Sequence, residues 1–427
     1  MEKNDLYSLP LIDELYEAIL TGNNSKLDYI AEQRSEEFEN VRIIMSTPNK
    51  RGASLDLDLD IIKKKCPKIV SIFQHDNFFI TSAEIAMQSY LTGGKSIVPI
   101  DWSFSYDSSF AEKLRNIFFG SNIKDEDKEL IRNFIVLKKE LSIQTDIFPM
   151  IIENMRLRRN NPENDRPRDT IASFKALDYI DWNKFEKDKN TPLKELTTKP
   201  WNEIVDEAEK DIQGYMTDST IKSFEYKALF NNCILYKIAI LYISNPEDAS
   251  GNFSSLIVFC INVLNKLPNY ELNLAWQFFY SKPKPSFWGP ITGNSKEIFE
   301  KIDKSMSWDL VHMRAFESLA TNSKSCSLFI PFFMSFDKGL KELVLDNPIT
   351  FMIINDKEQT VLAARKNEMD FQIALNEHMN DKLLLEITDE KVMIRRNTTI
   401  SYQMLEELKK NLIDELKIVI KSVKNTG

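Results

Sequence analysis

Hydrophobic positions along the chain follow two periods. Leu11, Leu15, Ile19 and Leu20 fall on one helix face, whereas 41–45 and 69–73 are short apolar runs of strand length. Between these runs, 55–60 alternates Leu and Asp strictly, the pattern of a strand with one solvated face. Residues 96–106 are rich in Ile, Val, Trp, Phe and Tyr and predict a buried strand. That strand ends at Asp107-Ser108-Ser109 and passes at once into a helix carrying Phe110, Leu114, Ile117 and Phe118 at helical spacing. Helical spacing continues over 125–160, the polar, proline-containing stretch 160–168 predicts an exposed loop, and 201–213, 224–243, 254–267 and 308–320 predict further helices. At 327–336 the pattern reverts to an apolar strand that ends in Asp337-Lys338-Gly339-Leu340, followed by a helix with Leu340, Leu343 and Val344. A strand at 350–354, a hairpin at 383–387 and 391–394 and an amphipathic helix at 404–423 complete the chain.

This order predicts an α/β protein with a central, mainly parallel sheet and a large helical insertion. The segments are a mixed α/β start (1–95), the first part of a core (96–155), the helical insertion (156–300), and the second part of the core with a C-terminal hairpin and helix (301–427). A composition of 43% hydrophobic and 28% charged residues fits a folded chain of 427 residues. With Lys+Arg 55 against Asp+Glu 64, a net charge of −9 excludes the broadly basic surface of a general nucleic-acid coat protein but leaves room for a local basic groove. The four cysteines are far apart and form no CxxC, so neither a zinc ribbon nor a disulfide framework is expected. The N-terminal stretch lacks the layout of a secretion signal and no apolar run is long enough for a bilayer, which predicts a cytoplasmic protein without membrane contact. Thr92-Gly93-Gly94-Lys95-Ser96 resembles the end of a phosphate-binding loop, but Ser89 holds the place of its first glycine and a strand follows, so it reads as a turn.

Chemistry gathers where strands end. In a parallel α/β sheet ligands bind beyond the carboxyl ends of the strands, which singles out Asp107 and Asp337. A lone aspartate at such a place is otherwise a helix cap. Asp309 opens a helix in Trp308-Asp309-Leu310-Val311-His312, and Glu153 follows the apolar turn Phe148-Pro149-Met150-Ile151-Ile152, with Glu140 and Asp146 as nearby alternatives.

In this order the residues resemble the active-site skeleton of PIN-domain and PIN-like nucleases, over approximately 96–155 and 300–355. In that family an aspartate follows the first strand, a glutamate lies on an early helix, a third acid begins a later helix and a fourth follows the next strand as Ser/Thr-x-Asp, here Ser335-Phe336-Asp337. Phe110 stands where the family carries a polar residue. The resemblance implies a PIN-like core and a metal-dependent endonuclease that hydrolyses phosphodiester bonds, RNA ahead of DNA. Asp107, Glu153, Asp309 and Asp337 would hold Mg²⁺ or Mn²⁺, hard cations that take carboxylate and water oxygens. It also implies a bacterial toxin or anti-phage effector, with nucleic acid and a regulatory, antitoxin-like protein as partners.

Around the acids, Ser108 and Ser335 are placed to orient carboxylates, and Lys338, Arg314 and Lys304 to hold a scissile phosphate. His312 reads as structural. Arg156, Arg158, Arg159, Arg166 and Arg168 read as a solvated loop balanced by Glu163, Asp165 and Asp169. Two other classes remain open. One is a catalytically silent α/β module whose helical insertion docks a protein partner. The other is a different hydrolase or nucleotide-binding protein with a closed small-molecule pocket.

Overall fold

The computed structural model describes residues 10–49, 53–54, 59–92, 100–293, 297–321, 328–379, 383 and 400–426. Its nine described strands are β1 (Val41–Thr47), β2 (Ala53–Ser54), β3 (Ile69–Ser71), β4 (Asn77–Ser82), β5 (Ile100–Tyr106), β6 (Thr145–Asp146), β7 (Leu328–Met334), β8 (Ile349–Asn355) and β9 (Thr360–Arg365). They form two small sheets in an otherwise helical chain, not one central sheet. The five-stranded sheet runs β2-β4-β1-β8-β9 and is antiparallel throughout. The four-stranded sheet runs β3-β7-β5-β6, with β5 parallel to both β6 and β7 and β3 antiparallel on the edge.

The expected segments do not separate in space. Strands β1, β3 and β4 of the first segment pair across both sheets, β1 with β8 and β3 with β7. Strand pairing is set by which apolar edges meet, so a reading along the chain splits what the sheets join. The expected insertion is helical where described, with Trp201–Thr217, Ser219–Ser244, Ala249–Asn262 and Asn269–Tyr280 as its long elements. The closing helix, Tyr402–Thr426, packs along Ser219–Ser244.

Local chemistry accounts for the shifted boundaries. Pro167 lies in the first turn of the helix Arg166–Lys175, where its missing N–H removes no helical bond, so the loop expected over 160–168 narrows to 161–165. The run expected as an alternating strand at 55–60 lies outside the described residues at 55–58, and Leu59 and Asp60 begin the helix Leu59–Lys65, which buries Leu59 and Ile62. The expected phosphate-loop resemblance lies outside the described residues after Thr92, as do 384–387 and 391–394 of the expected hairpin.

The mixed sheet is held by aromatic residues. Phe104 of β5 stacks on Phe332 of β7 at 5.0 Å between ring centroids, and Phe316 of the helix Ser307–Thr321 stacks on Phe333 at 5.2 Å. Phe104, Phe332 and Phe333 are each 0% exposed. Truncating such a ring removes its burial energy and leaves a cavity, at roughly 3–5 kcal/mol. Phe332→Ala is therefore expected to lower unfolding stability by about that amount in urea titration, against under about 0.5 kcal/mol for an exposed position such as Tyr90→Ala.

Candidate active site

Strands β5 and β7 run parallel from Ile100 opposite Leu328 to Tyr106 opposite Met334, so both end at the same edge of the sheet. The ladder continues one step, with Asp107 N–H donating to the Met334 carbonyl at 3.2 Å. Asp107 then caps the helix Ser108–Phe119, its Oδ1 accepting from Phe110 N–H at 2.7 Å. Asp337 caps the helix Lys338–Asp346 in the same way, accepting from Gly339 and Leu340 N–H at 2.7 and 3.2 Å. The bland reading of both aspartates is thus present in the structure, and each cap occupies one oxygen.

Two serines tie the strand ends together. Ser335 Oγ donates to Asp107 Oδ2 and accepts from Asp337 N–H at 2.8 Å, the geometry behind the Ser-x-Asp spacing. Ser109 Oγ lies 2.9 and 3.0 Å from the two oxygens of Asp107 and accepts from Phe336 N–H at 2.9 Å. Phe110, where the resemblance leads one to expect a polar residue, is wholly buried under Tyr106, Phe134 and Phe336.

Glu153 projects from the helix Phe148–Asn160 toward this edge and accepts from Ser108 Oγ, which in turn accepts from Asn154 Nδ2 at 2.8 Å. Of the alternatives, Asp146 is turned to the Ser103 and Ser105 hydroxyls, both at 2.8 Å, and caps Phe148 N–H at 3.0 Å. Glu140 is exposed at the end of the helix Asp125–Glu140. The structure therefore brings Glu153, and not these two, to Asp107.

Asp309 differs from the other acids. The helix Ser307–Thr321 continues directly from a π-helical segment, Ile302–Met306, so its first turn has no free N–H groups for a carboxylate to cap. Asp309 is 9% exposed, and among the described residues its carboxylate has neither a hydrogen-bond donor nor a cation in contact. π-helical insertions occur often at functional sites.

The four acids act on one another through a poorly solvated region. Burial, with the charge of Asp337 adding to it, pushes the Asp107 carboxyl up to about 6. Burial and the charges of Asp107 and Asp337 push Glu153 up to about 7. Asp309 is raised well above the ordinary carboxylate range, first by burial and then by Asp337, Glu153 and Asp107 in turn. None of the four is paired with a Lys or Arg among the described residues. Arg156 acting on Glu153 and Lys301 acting on Asp309 offset part of this negative charge without contact.

His312 is buried 3.7 Å from Glu153, but burial pushes it down to about 4, so the ring is neutral and its Nε2 bonds the Pro149 carbonyl at 3.2 Å. That is the structural role expected. Lys338 is exposed and reaches Glu342 at 3.3 Å, and Lys304 pairs with Glu300 at 2.8 Å. Arg314 corrects its expected role: Glu271 at 3.2 Å and Glu317 at 2.9 Å hold it on another face of its helix. Four of the five clustered arginines are paired, Arg158 with Asp165 and Glu209, Arg159 with Glu225, Arg166 with Glu112, and Arg168 with Asp165 and Asp169. Arg156 is not. It lies three residues beyond Glu153, with its guanidinium 5.3 Å over the Trp308 ring.

Sequence reasoning passed over Ser109 and Asn154 and merged Arg156 into a solvated patch. The only available signal was adjacency to an acid already chosen. Oxygen donors and an excess of negative charge suit Mg²⁺ or Mn²⁺. As the side chains stand, however, no group of three or more His, Cys, Asp or Glu among the described residues is set to hold a metal ion, because caps and serines direct the oxygens elsewhere. Compared with protein-family models, curated proteins and solved structures, this chain matches nothing.

The raised carboxyls fix a pH dependence. Between the unfolded values near 4 and the folded values the native state binds more protons than the unfolded chain, so stability falls as pH rises through that window. The midpoint of thermal unfolding in EDTA is expected to drop from about pH 5 to about pH 8, and Asp309→Asn to flatten the drop by removing one repelling charge. A midpoint in the variant that follows the wild type across the range would show that the four acids are not electrostatically joined.

Proposed function

We propose that the acid cluster is the catalytic centre of a metal-dependent endonuclease with a PIN-like core, hydrolysing phosphodiester bonds in nucleic acid, RNA ahead of DNA. The observation that carries this reading is Asp309, a buried carboxylate that caps nothing, has no cation in contact among the described residues and feels the charges of Asp337, Glu153 and Asp107 more than that of Lys301. A group placed at such a cost to folding is expected where function requires it. Asp107, Glu153, Asp309 and Asp337 would hold Mg²⁺ or Mn²⁺, which when bound supplies Lewis-acid polarisation of the phosphate and activation of water.

The residues of the chain divide the remaining work. Ser109 and Ser335 fix Asp107 against the start of its helix, and Ser108, itself held by Asn154, fixes Glu153. Arg156 has no acidic partner among the described residues; its Nε donates to the Glu153 carbonyl at 3.3 Å, which leaves the other guanidinium N–H groups suited to a phosphate oxygen. It opens into a cleft of about 610 Å³ lined also by Arg159, Lys304, Lys409 and Lys410. Of these, Arg159, Lys304 and Lys409 already have acidic partners, so Arg156 and Lys410, with Glu406 also in the lining, supply the positive charge for a backbone. The three described cysteines are free and buried, as in a reducing, cytoplasmic setting, and among the described residues no helix is long and apolar enough to cross a membrane. A bacterial toxin or anti-phage effector under control of a regulatory protein is the setting that the family resemblance implies.

A second reading keeps the α/β core as a silent binding module, and it is favoured by the two caps, which give Asp107 and Asp337 structural work without any metal. Cleavage of labelled single-stranded RNA and DNA, with Mn²⁺, Mg²⁺ or EDTA, separates the two. Metal-dependent cutting is expected in the wild type, lost to background in Asp309→Asn and Asp107→Asn, and lowered roughly 10–100-fold in Ser335→Ala. Arg156→Ala is expected to raise KM more than it lowers kcat and to make KM less sensitive to salt. A wild type that cuts nothing, and whose unfolding midpoint does not move with Mn²⁺, would leave the binding module as the reading.

A further inference from the structure

A second cavity lies away from the acids. It encloses about 1050 Å³ between the helices Leu11–Leu20, Ser219–Ser244, Asn269–Tyr280, Ser307–Thr321 and Glu368–His378 and strand β9. Its floor is charged and buried. Arg365, 4% exposed, pairs with Glu317, donates to the Asn347 carbonyl at 2.6 Å and lies 4.0 Å over the Tyr270 ring. Arg314 reaches the same ring at 5.1 Å and pairs with Glu271 and Glu317. Buried ion pairs of this kind contribute little net stability compared with apolar packing, so stability alone does not account for such a floor beneath an open volume.

Removing the groups that are already satisfied leaves a defined demand. Glu271 and Glu317 are paired with the two arginines, and Glu368 accepts from Gln372 Nε2 at 2.8 Å and from Asn273 Nδ2 at 3.5 Å. Two donors remain. The Tyr270 hydroxyl is buried with no partner, and Lys227, at the mouth, has no acid in contact among the described residues. Partial desolvation and the charge of Arg314 act against the Lys227 cation, a repulsion that an anion between them would relieve. Tyr16, Tyr226 and Phe230 add aromatic wall.

We infer that this cavity binds an organic phosphate carrying a planar ring, of the size of a nucleoside monophosphate, with the phosphate at Lys227 and Arg314 and a hydrogen bond from Tyr270. The volume is at the upper end of small-ligand sites and exceeds what inorganic phosphate needs. The inference does not depend on the nuclease reading, since the site shares no residue with the acid cluster or the Arg156 cleft.

The test is calorimetric titration of the full chain in EDTA with AMP, GMP and UMP, and with adenosine and ribose 5-phosphate as half-ligands. The Arg156→Ala protein serves as a parallel sample in which the other cleft is weakened. At least one nucleotide is expected to bind equally well to wild type and Arg156→Ala. Each half-ligand is expected to bind at least roughly tenfold more weakly, since each loses an interaction of that size. Lys227→Ala is expected to weaken the nucleotide by roughly tenfold or more. Tyr270→Phe, which removes an unpartnered hydroxyl and so leaves the unfolding midpoint unchanged or higher, is expected to weaken it several-fold. The inference is overturned if no nucleotide binds, if adenosine or ribose 5-phosphate binds as tightly as the nucleotide, or if binding is abolished by Arg156→Ala and untouched by Lys227→Ala and Tyr270→Phe.

Discussion

The parallel register of β5 on β7 is the constraint on which the candidate active site depends. It places Tyr106 opposite Met334, so two strand ends more than two hundred positions apart in sequence emerge side by side. Each is followed by an aspartate that turns the chain into a helix. A slip of one residue would exchange the two buried faces of the strand, breaking the Phe104–Phe332 stack and separating Ser335 from Asp107. Aromatic burial at the base of the strands thus sets the position of polar atoms at their tips. The fourth strand, β6, is only two residues long, but its pairing with Phe104 and Ser105 sets where the following helix begins and so where Glu153 lies.

The two capping aspartates show that structural and functional readings of one residue need not compete. A carboxylate has two oxygens, and a cap uses one of them. Asp337 accepts both its helical N–H groups on Oδ1. Asp107 is more heavily engaged, since Ser335 takes its second oxygen. That serine also accepts from Asp337 N–H, so a change in the charge of one acid is transmitted to the hydrogen bonding of the next. Removing a cap would disturb both fold and site, whereas Asp309 can be changed without loss of a cap, which makes it the informative position of the four.

Much of this was legible in the sequence, for a physical reason. A strand buried on both faces is a continuous apolar run, and an acid where that run gives way to helical spacing marks the strand's carboxyl end. Asp107 and Asp337 are visible by that rule, and Ser335 by its spacing from Asp337. Glu153 was separable from Asp146 only once the fold showed Asp146 facing the Ser103 and Ser105 hydroxyls. The division into two sheets was not legible, because β1, β4 and β8 meet through long-range edge pairing that no local pattern encodes. Strand β6 is too short to show a period. Arg314 was misplaced for a related reason: nearness to Asp309 in sequence says little about direction around a helix.

That direction is set by the π-helical segment Ile302–Met306. A π turn holds about one residue more than an α turn, so it rotates every following side chain by roughly 100° relative to an uninterrupted helix. Asp309 and Arg314, five positions apart on the α-helix that follows, stand roughly 140° apart around its axis by α-helical geometry alone, so they serve different faces, Arg314 lining the cavity floored by Arg365 and Tyr270. Packing of Phe316 on Phe333 holds the helix in this rotation. Straightening the π turn would therefore turn Asp309 away from the acids and Arg314 away from Glu271 together. A single helix thus contributes to both places, Asp309 among the acids and Arg314 at the cavity, where Glu271 and Glu317 pair with it, and Phe316 packs that helix on β7.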